Sequence, residues 1–95
     1  MGQYDRALSF FERALQFREM QGAQGPILIA RWCIARCLRS MGQVQRALQM
    51  QRELEALHAD LGNHPEFVFK EIAECLVLLG KPDEATPYLA KASAT

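Results

Sequence analysis

No apolar run in this sequence approaches the roughly 20 residues that a membrane-spanning helix needs. No segment alternates apolar and polar residues as a half-buried strand does, which leaves helices to build the core. Net charge is missing as well. Eleven lysines and arginines stand against eleven aspartates and glutamates, so nothing draws the chain as a whole toward nucleic acid or an anionic membrane. The motifs that carry chemistry are absent too: there is no phosphate-cradling glycine loop, no dinucleotide fingerprint and no HExxH helix.

Cysteine is scarce and odd in number. Cys33, Cys37 and Cys75 each fall inside an apolar helical pattern, where a thiol acts as a small hydrophobe, and buried thiols suit a reducing compartment. Cys33 and Cys37 share a helix face but lack the ligand pattern of structural zinc, because His58 and His64 lie much further along the chain. A catalytic thiolate needs a base in reach, and the sequence suggests no Cys–His pairing. Met1–Leu15 mixes charged with apolar residues, unlike a secretory leader. The expectation is a soluble, cytoplasmic, non-enzymatic protein with no metal and no cofactor, and with neither nucleic acid nor membrane among its partners.

What is present is a repeat. Gly2-Gln-Tyr-Asp-Arg-Ala7, Gly42-Gln-Val-Gln-Arg-Ala47 and Gly80-Lys-Pro-Asp-Glu-Ala85 share one phrase, a glycine followed five residues later by an alanine. Seven residues beyond those alanines stand Ala14, Leu54 and Ala92. Each glycine suits the left-handed turn that closes one helix before the next, and each alanine suits a close crossing of two helices. The 95 residues make one small domain able to bury a modest core.

Five helices follow, and the class is all-α. The first runs from about Tyr4 to Gln21, with Tyr4, Ala7, Leu8, Phe11, Ala14 and Leu15 on one face and Phe10 and Phe17 on a second. The second spans Pro26–Met41, apolar on most of its circumference and therefore central. The third spans about Val44–Asp60, its apolar face continuing to Leu61. The fourth runs from Pro65 to Leu79, with Asn63 or His64 as its cap. The fifth starts at Pro82, with a bend or loosened turn expected at Pro87. Charge is segregated along this order. From Met20 to Arg52 there are five arginines and no acid, and from Glu53 to Glu74 six acids stand against Lys70 alone.

Helix pairs with small and large residues in this order resemble the tetratricopeptide repeat. Phe69, Ile72–Ala73 and Leu76, then Ala85, Leu89 and Ala92, fill the slots of the last repeat. Ile34–Ala35, Leu38 and Ala47 match in the middle one, whereas Arg31 and Gln51 depart from it where a bulky apolar residue is usual. Tyr4, Ala7, Phe11 and Ala14 match a second helix only. The resemblance covers nearly the whole chain as about two and a half repeats: a half repeat at 1–22, a repeat at 23–62 and a repeat at 63–95. Its period exceeds the usual length of about 34 residues. Leu61-Gly62-Asn63-His64-Pro65 is similar to the junction of the long-repeat subtype in kinesin light chains and some bacterial regulators.

The resemblance implies a right-handed superhelix of antiparallel helix pairs whose first helices line a concave groove for a peptide or protein segment. Carried over by position, that groove is Ile29, Trp32, Arg36, Arg39 and Ser40 with Phe67, Lys70, Glu74, Val77 and Leu78. Trp32 beside Arg36 and Arg39 suits a carboxylate or an aromatic-containing peptide. The alternative is that Trp32 packs between repeats and the arginines only snorkel. The lysine–asparagine clamp of chaperone-binding members is not reproduced, because Arg36 and Glu74 stand where asparagine is expected. The first helix lacks a partner before it, so Phe10, Phe11 and Phe17 are expected to form a self-association surface or a contact within a longer array. The leading expectation is an interaction module. The others are an oligomerisation or structural fragment associating through the first helix, and a peptide-sensing domain of a regulator.

Overall fold

A computed structural model describes residues 2–22 and 24–93. It contains α1 (Gly2–Gln21), α2 (Gln24–Ser40), α3 (Val44–Asp60), α4 (Glu66–Leu78) and α5 (Pro82–Ser93), with no strand among the described residues. The chain is all-α. Each helix packs along the one before and the one after it, and α2 also touches α4. The backbones of α1, α3 and α5 stay apart from one another. The body measures 37 × 35 × 18 Å, and its short dimension is about two helix diameters.

Residues at helical spacing face the shared interior. Ile34 and Leu38 from α2, Leu54 from α3 and Ile72 and Leu76 from α4 make its centre. Leu8, Phe11 and Leu15 of α1 pack half-buried against it. The centre lies as much on α4 as on α2: within the short span of α4, Val68, Phe69, Ile72, Ala73, Cys75 and Leu76 are all buried. Of the three alanines of the repeated phrase, Ala47 and Ala85 are almost wholly enclosed, as close helix crossings require, while Ala7 on α1 is half-buried.

The helix ends show why the phrase begins with glycine. At the end of α2, the Gly42 N–H donates to the Arg39 carbonyl at 3.0 Å and the Gln43 N–H to the Leu38 carbonyl at 2.9 Å. That pair of bonds is the Schellman closure, and it demands a left-handed residue, here Gly42 at φ 88°. Gly62 and Gly80 close α3 and α4 with the same two bonds. Gly42→Ala is expected to destabilise the fold by about 1 kcal/mol through backbone strain alone, since open space surrounds the position of an added Cβ. Gly25, in the first turn of α2 with equally open space, is the control. Gly25→Ala is expected to be neutral or to stabilise by roughly 0.5 kcal/mol, and urea denaturation of the two variants reads the difference.

Several local expectations need correction. Neither Asn63 nor His64 caps α4. Pro65 occupies that place and no side chain bonds the end, because Asn63 Nδ2 is engaged at 3.3 Å with His58 Nδ1 and His64 Nε2 lies 3.2 Å from the Lys91 carbonyl. α2 stops at Ser40, one residue before Met41, where the closure at Gly42 begins. Leu61 is exposed rather than part of the α3 face, since the chain is already turning at Gly62. Pro87 lies inside α5, where it has no N–H to donate to the turn before it.

Candidate functional site

α2 and α4 run side by side in the same direction. The contacts between them ascend together: Trp32 meets Phe67, and one to two turns later Arg36 and Arg39 meet Glu71. Between the two helices lies a cleft of about 430 Å³, walled by Trp32, Arg36 and Arg39 on one side and Phe67, Lys70, Glu71 and Glu74 on the other. Six residues expected in the groove thus share one cavity. Ile29 and Val77 are exposed but do not line it, nor do Ser40 and Leu78.

The aromatic end is built by packing. The Trp32 and Phe67 rings meet edge-on at 5.4 Å, and His58 of α3 meets Phe67 at 5.7 Å from another side. Trp32 is half-buried, and its Nε1–H has no acceptor among the described residues. Trp32 thus packs between α2 and α4 and also lines the cleft.

The charged part differs from expectation. Arg39 is not open for an incoming carboxylate, because Glu71 already engages it, whereas Arg36 shares that carboxylate through Nε alone and keeps half its side chain in solvent. Arg39 donates through Nε to Glu71 Oε2 at 2.8 Å and through Nη2 to Oε1 at 3.3 Å, and Arg36 Nε lies 3.2 Å from Oε1. Arg39 and Glu71 are largely enclosed, with side chains 21% and 10% exposed, whereas Arg36 is half out in solvent. Hydrogen bonding to Glu71 holds the Arg39 guanidinium above its ordinary pKa, against the opposing effect of burial. The Arg36 guanidinium also lies 4.8 Å above the Trp32 ring, within cation–π range. It spans the cleft mouth from the indole to the carboxylate. Lys70 and Glu74 have no ion-pair partner among the described residues.

Other polar groups are buried without reward. Gln51 is wholly enclosed and both its side-chain atoms lack a partner, as does His58 Nε2. Burial pushes the His58 imidazole below its ordinary value of 6.5. Between that lowered value and 6.5 the unfolded chain binds more protons than the folded one. The stability that depends on a neutral His58 is therefore present above pH 6.5 and is lost as pH falls through the window. Thermal melts across it should show a fall that His58→Phe flattens, and parallel curves for the two proteins would count against this.

Cys37 and Cys75 are buried and Cys33 is half-buried, all as free thiols. Burial, with the nearby Glu71 carboxylate adding to it, pushes Cys75 up to about 11. Burial and then Asp5 raise Cys37, whose Sγ–H donates to the Tyr4 carbonyl at 3.4 Å. Among the described residues no group of three or more His, Cys, Asp or Glu side chains could hold a metal ion, and no helix is long and apolar enough to cross a membrane.

On α1, Phe10 is 67% and Phe17 59% exposed, and Met20 beside them is more so. Phe11 does not belong with them, because it turns inward and packs half-buried on the core while touching Phe10 edge-on at 5.7 Å. Adjacent helical residues point about 100° apart, so two neighbouring phenylalanines cannot share a face. The chain matches no protein-family profile, no curated protein and no solved structure.

Proposed function

We propose that this chain is a non-enzymatic protein-interaction module of tetratricopeptide type. In this reading the pairs α2–α3 and α4–α5 stack as a right-handed superhelix, and the face formed by α2 and α4 receives a segment of another protein. The observation that carries the binding reading is the α2–α4 cleft, where a half-open aromatic pair lies beside Lys70 and Glu74, which have no ion-pair partner among the described residues. The repeat architecture draws support from the shared phrase, whose glycines close α2 and α4 in the same way and whose alanines sit enclosed at the next helix.

Trp32 is the sole tryptophan and lines the cleft, so its fluorescence reports occupancy directly. The test is titration with a positional-scanning library of short capped peptides. Binding should shift Trp32 emission and should weaken in Lys70→Glu, a change at an exposed residue with no ion-pair partner among the described residues. A library that leaves Trp32 unchanged, with no binding by an independent method, sinks the reading.

A second reading rests on the exposed Phe10 and Phe17. In it, α1 carries a homotypic contact, and light scattering over a concentration series should show a dimer that Phe10→Ser with Phe17→Ser dissolves. A monomer at every concentration removes it.

A further inference from the structure

The cleft presents its chemistry in three steps, one helical turn apart. At its first step stand the rings of Trp32 and Phe67. One turn on, α2 presents Arg36 and α4 presents Lys70. Here Glu71 is a single carboxylate shared by Arg36 and Arg39, so one positive charge is left over and Lys70 adds a second. A further turn on, Glu74 of α4 shares the cleft with Arg39, whose guanidinium is already bonded to Glu71, and among the described residues no cation forms an ion pair with Glu74.

The spacing of these steps has a meaning for a ligand. Four residues along an α-helix advance about 6 Å. Two residues of an extended peptide advance about 6.6 Å, and alternate side chains of such a peptide point the same way. An extended segment lying along the cleft therefore meets successive steps with every second side chain. Resting on the reading that the α2–α4 cleft binds a peptide, we infer that its ligand is an extended segment with an apolar–x–acidic–x–basic pattern. The apolar side chain packs on Trp32 and Phe67, the acid faces Arg36 and Lys70, and the base faces Glu74. Glu71 acts as a positioning residue that holds Arg36 across the mouth.

This order follows from charge complementarity rather than from a general attraction. The cleft walls carry three cations and two acids, so composition alone separates ligands weakly. What separates them is where along the cleft each sign lies. An all-acidic segment meets Glu74 with the wrong sign, and an all-basic one meets Arg36 and Lys70.

The probe is the capped peptide acetyl-Ala-Phe-Ala-Glu-Ala-Lys-Ala-amide, with the same order synthesised in the reverse chain direction, each titrated against the full chain by Trp32 fluorescence. The comparators are peptides with glutamate and lysine exchanged, and peptides with the same residues but no spacer between phenylalanine, glutamate and lysine. The tighter of the two directions should bind about tenfold better than its exchanged counterpart, and added salt should shrink that ratio. Lys70→Glu with Glu74→Lys swaps two exposed charges and should invert the preference while leaving the melting temperature in place. Equal binding of parent and exchanged peptides overturns the pattern, as does indifference to the spacers, and either result leaves the cleft a peptide site. Failure of these peptides and of the scanning library alike overturns the cleft reading itself, and the pattern with it.

Discussion

Glu71→Ala is expected to destabilise the fold by about 3 kcal/mol, because it leaves two guanidinium groups facing one another without the carboxylate that both engage. A small domain has roughly 5–15 kcal/mol in all, so the variant should melt on the order of 10 °C lower and unfold at clearly lower urea. Most of the loss arises at Arg39, the enclosed partner with two hydrogen bonds. Arg36 is half in solvent, where an ion pair contributes little. A double-mutant cycle separates the two. Arg39→Ala should cost much less in the Glu71→Ala background than in the parent, whereas Arg36→Ala should be nearly additive with it. A Glu71→Ala protein within about 0.5 kcal/mol of the parent would show that the three side chains merely coexist. Replacing Glu71 and Arg39 together with leucine and methionine is the informative extreme: it removes the ions and keeps the volume, and such swaps are often neutral or stabilising.

Gln51 is the opposite case, and Gln51→Leu is expected to stabilise the protein by about 2 kcal/mol. Its amide is wholly enclosed by the core, with neither the nitrogen nor the oxygen bonded among the described residues. An enclosed amide without partners costs on the order of 1–3 kcal/mol, and an apolar side chain of similar volume removes that cost. Urea denaturation should move to higher midpoint with an unchanged slope. A destabilised Gln51→Leu would mean that the amide holds an ordered water whose bonds compensate its burial. The pair makes a single point about buried polarity. Glu71 is retained by its partners, and Gln51 is tolerated despite having none.

Much of the architecture was legible from the residues. The glycine–alanine phrase, the prolines near helix starts and the period of the apolar positions place all five helices to within a few residues, because these signals are local. The cap of α4 was misplaced because Asn63 looked like one, but its side chain reaches back to His58. Of the cleft, Trp32, Arg36, Arg39, Phe67, Lys70 and Glu74 were named only through the resemblance to the tetratricopeptide repeat, whose groove positions they occupy. Glu71 could not. It sits in a run of acids that reads as a solvated face, and the nearer of its two partners, Arg39, is 32 residues away in sequence. No periodicity encodes such a pairing. Gln51 was visible only as a departure from an apolar pattern, a signal that marks a strange residue without saying whether it is satisfied. Phe10 and Phe11 divide between solvent and core as the helical spacing that put them on different faces requires, so a self-association surface holding both was one residue too wide.

The way each helix packs along its sequence neighbours also governs how the molecule comes together and comes apart. Almost all interhelical contacts join segments adjacent in sequence, so each can form by closing a short loop, and chains of this sort reach the native state in microseconds to milliseconds. The same locality removes any clasp between the two ends. α1 lies along α2 alone and α5 along α4, so either outer helix can peel away while the α2–α3–α4 centre persists. Amide protons should exchange from the rims inward. The walls of the cleft, lying on α2 and α4, each with neighbours on both sides, would be among the last parts of the protein to loosen.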